Sequence, residues 1–387
     1  MKENTSPIIT KDIETNRICS MMLTHSCNLK CVYCFEKFKS GKMMTFETAK
    51  DILSREFEDY KSIMSPEHRL NIDFMGGEPL LNFELIKQIY EWVKIQNVPF
   101  NIIYSVTTNG TLLDEKKREW LSAHKKDFRV VMSVDGTDFS QKNNRGVSVD
   151  MLPLQFVHDN WPKSYFKQTL SHDTLPYFAD GVIGLTEKGY RVATSLAQGH
   201  VWQEGDVEIY RRELLKLAEY FLAHPKVRPE TPFDNLYAEF FDEQIDKMPK
   251  KSCGVGTSVH LYDADGTLYP CHLFLPMVHG NNNVLEEVKN IDFTDEKMLI
   301  SEECRTCPAL KVCNTCYGYN YVNRGDVAKR DKGMCNLYLV EAQVVSAFQI
   351  NYFTTLKHTR ELTDYELLML QCAVRCYKYV KDIEKIN

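Results

Sequence analysis

No run of about 20 uncharged apolar residues occurs in the 387-residue chain, so a membrane-spanning helix is not expected. The stretch Met1 to Pro7 is polar and lacks the apolar centre of a secretory signal. Basic charge is scarce as well: 47 Lys and Arg stand against 53 Asp and Glu, for a formal charge of -6. The cations are scattered, which makes nucleic acid a poor partner. The cytoplasm is the expected location. Cysteine, by contrast, is plentiful, with 13 in the chain, and in a reducing compartment these read as cluster or metal ligands before disulfides. The length predicts roughly two to three domains, enough to bury a full core.

Strand-like runs at Ile18 to Leu23, Leu70 to Met75, Ile102 to Thr107, Phe128 to Ser133, Phe166 to Leu170 and Arg191 to Leu196 alternate with helical stretches. Examples of the latter are Thr45 to Ser62, Phe83 to Ile95 and Asp114 to His124. In the second of these Leu85, Ile86, Ile89, Tyr90 and Val93 share one face, as a helix lying on a sheet requires. The alternation predicts an α/β fold: a parallel sheet with right-handed crossovers, curled as a partial (β/α)6 barrel. Sites of such folds lie at the carboxyl ends of the strands.

Directly after the first strand, Cys27, Cys31 and Cys34 stand as C-x3-C-x2-C. Three thiolates hold three irons of a cubic 4Fe-4S cluster and leave the fourth iron open. A zinc knuckle or a set of structural thiols is the alternative. Zinc asks for a fourth Cys or His at short spacing, and His25 is too close to Cys27 to serve. Gly76-Gly77-Glu78-Pro79 ends the second strand, Thr107 to Gly110 the third and Ser133 to Gly136 the fourth, all on the same face. A glycine pair alone often only makes a turn. Following C-x3-C-x2-C by one strand, it resembles the GGE motif of the radical S-adenosylmethionine (SAM) superfamily.

That resemblance implies that the open iron binds SAM and that one electron cleaves it to a 5'-deoxyadenosyl radical, which takes hydrogen from a substrate. It also implies that Gly76, Gly77, Glu78 and Pro79 meet the SAM amino group and that Tyr33 meets the adenine. Thr108, Asn109, Ser133, Asp135 and Arg145 are the implied candidates for the remaining SAM contacts, Ser133 and Arg145 at its carboxylate or ribose. For Arg145 a solvated place in the polar loop Ser140 to Gly146 is an equal alternative.

The composition changes after about Pro249. Cys253 and Cys271 stand as C-x12-G-x4-C, with Asp265-Gly266 predicted to turn two alternating strands into a hairpin. Cys304, Cys307, Cys313 and Cys316 follow as C-x2-C-x5-C-x2-C, then Cys335. Seven cysteines in this order resemble the SPASM extension of radical SAM enzymes, although two residues, not the usual three, precede the sixth cysteine. The resemblance implies two auxiliary 4Fe-4S clusters, three with the SAM cluster. The far one would take Cys304, Cys307, Cys313 and Cys335, and the near one Cys253, Cys271 and Cys316. Some relatives supply a fourth near ligand six residues after the first cysteine, where this chain has Val259. An open near iron could bind a substrate thiolate. Two zinc ribbons are the alternative, against which an odd number of cysteines argues. The expected domains are residues 1–249, the barrel with its linker; 250–340, SPASM; and 341–387, helices packing on the barrel.

Cys19 is expected as a small buried hydrophobe. Cys372 and Cys376 share one face of a helix opened by a capping box, Thr363 to Glu366, where they either pack or form a redox pair or missing ligand. SPASM proteins act mostly on ribosomal peptides, so a precursor peptide is the implied substrate, with flavodoxin or ferredoxin as electron donor. Sulfatase-maturing enzymes carry an aspartate base directly after the second SPASM cysteine; this chain has His272. Cys313 to Tyr321 resembles maturases of cysteine-repeat peptides, and thioether crosslinking is the preferred expectation, ahead of carbon-carbon crosslinking and formylglycine formation. His272, Asp263 and Tyr317 are candidate general bases by location. With 26 residues before Cys27, no separate recognition module is expected there. The peptide would be met by the barrel mouth, by the segment Gly199 to Lys251, or by a separate protein; an added edge strand is one route. Trp202, Tyr237, Phe240 and Phe241 would either grip the peptide or lie in the core. A non-catalytic electron carrier would have no use for an open iron followed by GGEP.

Overall fold

The computed structural model describes residues 17–64, 69–240, 251, 253–280 and 283–384. Phe241 and Ser252 lie outside the described residues. The chain forms two compact units: Met1–Ser133 with Met151–Ser164 and Cys253–Met298, and Val134–Asp150 with Tyr165–Ser252 and Leu299–Asn387. The described strands are β1 (Arg17–Met22), β2 (Arg69–Met75), β3 (Asn101–Thr108), β4 (Phe128–Ser133), β5 (Tyr165–Leu170), β6 (Arg191–Leu196), β7 (Val259–Tyr262) and β8 (Leu268–Tyr269).

In the first unit β1 pairs in parallel with β2, β2 with β3, and β3 with β4. Between them run α1 (Phe46–Lys61), α2 (Phe83–Lys94) and α3 (Glu115–Ala123). Thr45 caps α1 by accepting from the Thr48 amide, and Asp114 caps α3 from Lys117, each worth about 1 kcal/mol. The expected face of α2 is buried through Leu85, Ile86, Ile89, Tyr90 and Val93. Alternation along β2 buries Leu70, Ile72 and Phe74, and Phe74, Tyr104 and Phe128 stack in the core, centroids 5.1 to 6.2 Å apart. The opposite face of the strands is polar: Asp73 accepts from Ser20 at 3.2 Å and Ser105 at 2.6 Å. A sheet with apolar residues under its helices and polar residues on its other face is built to hold a polar ligand there.

The hairpin at Asp265-Gly266 forms as expected, β7 antiparallel to β8. β7 also pairs in parallel with β1, Ile18 opposite Val259, so the first cysteine-bearing hairpin of the C-terminal region extends the same sheet.

In the second unit β5 and β6 pair in parallel with α4 (Asp138–Arg145), α5 (Phe178–Thr186) and α6 (Asp206–Ala223) nearby in sequence. The segment expected as a polar loop is therefore helical: Thr137 caps α4 and Gly146 ends it in the left-handed region. Further on come α7 (Tyr317–Arg324), α8 (Lys332–Lys357) and α9 (Asp364–Glu384), with α8 packed against both α6 and α9. The capping box is formed, the Thr363 amide donating to Glu366 at 2.8 Å and the Glu366 amide to Thr363 at 3.3 Å. Cys372 and Cys376 pack with Phe240, Val312, Ala342 and Val380, and Cys19 is fully buried in β1. Among the described residues no helix is long and apolar enough to cross a membrane.

Candidate active site

The three-cysteine loop leaves the end of β1 and is held against the end of β2 by backbone pairing. The Leu23 amide donates to Met75 at 2.8 Å, Gly77 to Thr24 at 2.9 Å and Glu78 to Ser26 at 2.9 Å. This contact explains the glycine pair. A Cβ on Gly76 would lie 2.9 Å from the Thr24 carbonyl oxygen, and one on Gly77 only 2.4 Å from that of Ser26. The glycines let the strand end and the cysteine loop touch, which no residue with a side chain permits.

Glu78 is buried. Its carboxylate accepts from the Leu80 amide at 3.2 Å, the Thr108 hydroxyl at 2.6 Å and the Asn109 amide at 2.8 Å. It thus joins the ends of β2 and β3. Asn109 in turn donates to Asn28 of the cysteine loop at 2.9 Å, and Asn28 donates to Thr111 at 2.7 Å. Ser133, at the end of β4, is buried.

Cys27, Cys31, Cys34 and Tyr33 are half-buried. Burial pushes the Cys27 thiol above its ordinary value. Lys39 donates to the Cys34 sulfur at 3.0 Å and to the Glu36 carbonyl at 2.8 Å, while burial raises the Glu36 carboxyl to about 7. His25 is no fourth ligand: its Nε2 lies 2.6 Å from Asp263 and its Nδ1 3.1 Å from Ser40. Among the described residues no three Cys, His, Asp or Glu side chains converge on a point where a single ion would sit. A lone zinc would gather its ligands about 2.3 Å from itself. A cubic cluster spreads its thiolates wider, each on a different iron.

Of the three candidate bases, Asp263 is buried with both oxygens engaged, by His25 and by Lys42 at 2.8 Å. Although burial opposes it, the hydrogen bonds from His25 and Lys42 hold its carboxyl below the ordinary range. Its place is a tie between the cysteine loop and the β7–β8 hairpin, a partnership that the motif reading missed and that only His25, two residues before Cys27, hinted at. His272 sits in a 3-10 turn with its ring 4.9 Å from that of Phe35. Tyr317 is buried at the start of α7. Of the residues offered as a peptide grip, Phe240 lies in the core, while Trp202 and Tyr237 are half-buried.

Within the second unit, Asp135 and Arg145 form a buried forked pair, Nε to Oδ2 at 3.0 Å and Nη2 to Oδ1 at 3.2 Å. The Thr169 amide also donates to Asp135 at 3.1 Å. Arg145 is therefore not the solvated loop residue of the alternative. Cys304, Cys307, Cys313 and Cys335 come within electrostatic reach of one another. Burial pushes the Cys335 thiol up to about 11, and Cys313, Cys307 and Cys304 add to the rise. Cys313, raised by burial, is also affected by Cys304 and Cys307, and its carbonyl accepts from Arg330 at 3.1 Å. Of the near set, Cys253 is exposed and Cys271 half-buried in the first unit, while Cys316 precedes α7 in the second. Val259, where a fourth ligand would stand, is an apolar residue within β7.

Residues 21–167 match the radical SAM superfamily. The radical SAM cyclopropyl synthase TigE of Paramaledivibacter caminithermalis is 24% identical over 347 residues, covering 82% of this chain and 71% of that protein. The cysteine-type anaerobic sulfatase-maturating enzyme of Clostridium perfringens (strain 13 / Type A) is 24% identical over 331 residues, covering 74% of this chain and 84% of the enzyme. Among solved structures, anSMEcpe with bound AdoMet and a Cp18Cys peptide superposes with a TM-score of 0.62 at 19% identity, over 89% of this chain and 100% of that one. At that identity the likeness shows the shared mixed α/β fold with its parallel sheet. Residues 21–167 of this chain are therefore a radical SAM superfamily domain.

Proposed function

We propose that the chain is a radical SAM peptide maturase that installs a crosslink, preferably a Cys thioether, in a ribosomally made precursor peptide. Cys27, Cys31 and Cys34 would hold the SAM-binding 4Fe-4S cluster. Glu78, with Gly76, Gly77 and Pro79, would take the SAM ammonium. Thr108, Asn109, Ser133, Asp135 and Arg145 are the candidates for the rest of the cofactor, and Tyr33 for its adenine. Cys304, Cys307, Cys313 and Cys335 would hold the far auxiliary cluster, and Cys253, Cys271 and Cys316 the near one. When bound and reduced by a flavodoxin- or ferredoxin-type donor, cluster and SAM supply a radical able to remove hydrogen from an unactivated carbon. The chain's own residues must orient the peptide, keep water out and accept a proton. Peptide as the substrate class is supported by the names of the relatives, among them a sulfatase-maturating enzyme and a subtilosin biosynthesis protein of Bacillus subtilis.

The observation that carries crosslinking over formylglycine formation is His272. The position after Cys271, at which sulfatase-maturing enzymes carry their aspartate, holds an imidazole packed on Phe35. The competing reading, a sulfatase-type maturase, draws on the similarity across 74% of the chain. The test is the product. Reduced, reconstituted protein given a Cys-containing precursor peptide should yield a peptide two hydrogens lighter whose Cys no longer alkylates. A hydrazine-reactive aldehyde in its place would move the assignment to the sulfatase type.

A further inference from the structure

The proposed crosslinking needs a proton acceptor, and the three candidates drawn from sequence are poorly suited. Asp263 has both oxygens engaged, Tyr317 is buried, and the His272 ring packs on Phe35. A different pair stands in the second unit, just beyond the carboxyl end of β5, the strand end at which sites of such folds lie. His172 Nδ1 is 2.7 Å from the Asp206 carboxylate, with the His172 side chain 29% exposed and Asp206 1%. Asp206 opens α6 and is fixed independently of the histidine, because its other oxygen accepts from the Gln203 amide at 2.7 Å. A carboxylate on Nδ1 holds the proton there and leaves Nε2 as the ring's basic atom. Nε2 of His172 makes no hydrogen bond among the described residues.

Within the second unit the pair is tied to its surroundings on two sides. On one side, Ser171 donates to Asn144 at 2.9 Å, and Asn144 precedes Arg145 of the buried Asp135 fork. On the other, the His172 amide donates to His200 Nε2 at 3.2 Å. His200 belongs to the β6–α6 connection, and burial keeps it below the ordinary histidine value against the pull of Asp173, consistent with its accepting role. Next to it Gly199, at φ +72°, lies so close to Tyr319 that a Cβ would come within 2.6 Å of the ring. Tyr319 is on α7, which begins directly after Cys316.

We propose that His172, oriented by the positioning residue Asp206, accepts the proton released when a substrate thiol or other nucleophile closes the crosslink. The proposal rests on the crosslinking reading. In the balance, one hydrogen leaves the acceptor carbon as an atom, and the second leaves the thiol as a proton to His172 Nε2. One electron leaves to an oxidised iron-sulfur cluster, and a carbon-sulfur bond forms. The charged and titratable groups around His172 are Asp206 of α6, His200 of the β6–α6 connection and Asp173 of its own turn. Of the other helices packed on that turn, α4 carries Arg145, paired with Asp135, and α5 carries Asp180, paired with Lys216.

The test uses reconstituted full-length protein and a Cys-containing precursor peptide deuterated at the acceptor carbon. The quantity read is crosslink formed per deuterium transferred to 5'-deoxyadenosine. His172→Gln should lower this ratio about 100-fold or more, the scale of general-base catalysis. It should also flatten the dependence of the ratio on pH. Asp206→Asn, which keeps an acceptor for the Gln203 amide, should lower the ratio less. In the intact protein, diethyl pyrocarbonate should modify His172 at Nε2, and bound peptide should protect it. An unchanged ratio and pH profile in a folded His172→Gln variant would overturn the proposal, as would a histidine that the reagent never reaches. If the wild type makes an aldehyde, the crosslinking reading fails. The base is then judged separately with a peptide deuterated at the Cys β-carbon, by aldehyde per deuterium transferred, because that oxidation sheds a proton too.

Discussion

Cys27, Cys31 and Cys34 fall within eight consecutive residues, while Cys304, Cys307, Cys313 and Cys335 are drawn from 32. The first set lies on a loop with little regular structure of its own. Its shape comes from neighbours: the strand end at Gly76 and Gly77, the Asn28–Asn109 contact, and the His25–Asp263 tie. The second set is carried by a 3-10 turn, a short helix and the first turn of α8, with Arg330 on the Cys313 carbonyl. Three donors on one short loop suit a cluster that must keep one iron open to a ligand. Four donors held locally suit a closed cluster that only passes electrons.

The strongest way to break that contrast is to remove the open set. Cys27→Ala, Cys31→Ala and Cys34→Ala together should abolish 5'-deoxyadenosine formation while the iron of the C-terminal region stays. Residual SAM cleavage would mean that the two sets have been assigned the wrong way round. Cys335→Ala should do the reverse, lowering iron by about four atoms per chain with SAM cleavage still measurable in the same assay.

Smaller changes test how the open loop is held. Glu78→Gln should weaken SAM binding by roughly 1.5 to 3 kcal/mol, the scale of a charge-assisted hydrogen bond. The amide also places a donor against the Thr108 hydroxyl or the Asn109 amide, so calorimetry of SAM binding should be read beside the thermal midpoint. Unchanged affinity in a folded variant would reduce GGEP to a structural turn. Gly77→Ala forces a Cβ onto the Ser26 carbonyl and should cost about 1 to 3 kcal/mol, as overpacking does, with iron lost from the first set and not the second.

Asp263 offers a pH test of the same loop. Its carboxyl is held low in the folded state, so its stabilisation is present above the ordinary carboxylate range near 4 and is lost as pH falls through the folded value. Thermal midpoints from pH 3 to 7 should show a steeper acid-side loss for wild type than for Asp263→Asn; parallel curves would remove the tie from the account. The smallest effect is expected for Cys372→Ala or Cys376→Ala, about 1 kcal/mol of lost packing with unchanged iron. A drop in iron would make them ligands.

Much was legible in sequence because it is local. C-x3-C-x2-C, the period-two strands, the single apolar face of α2, the Asp265-Gly266 turn and the Thr363 capping box each depend on neighbours a few residues apart, and all appear where the pattern places them. The helix at Asp138–Arg145 was not legible, since Asp138, Ser140, Asn143 and Asn144 are weak helix formers. What makes it a helix is burial of Gln141, Asn144 and Arg145 against Asp135 and the end of β5.

By itself, then, the sequence determined the donor types, their spacing and the rhythm of strands and helices, because covalent order and local propensity act within a few residues. Tertiary structure alone decided which groups share a proton or a charge. His25 meets Asp263 across 238 residues, Thr108 meets Glu78 across 30, and His172 meets Asp206 across 34. Such pairings arise from how strands align in a sheet, a long-range outcome that no window of residues encodes.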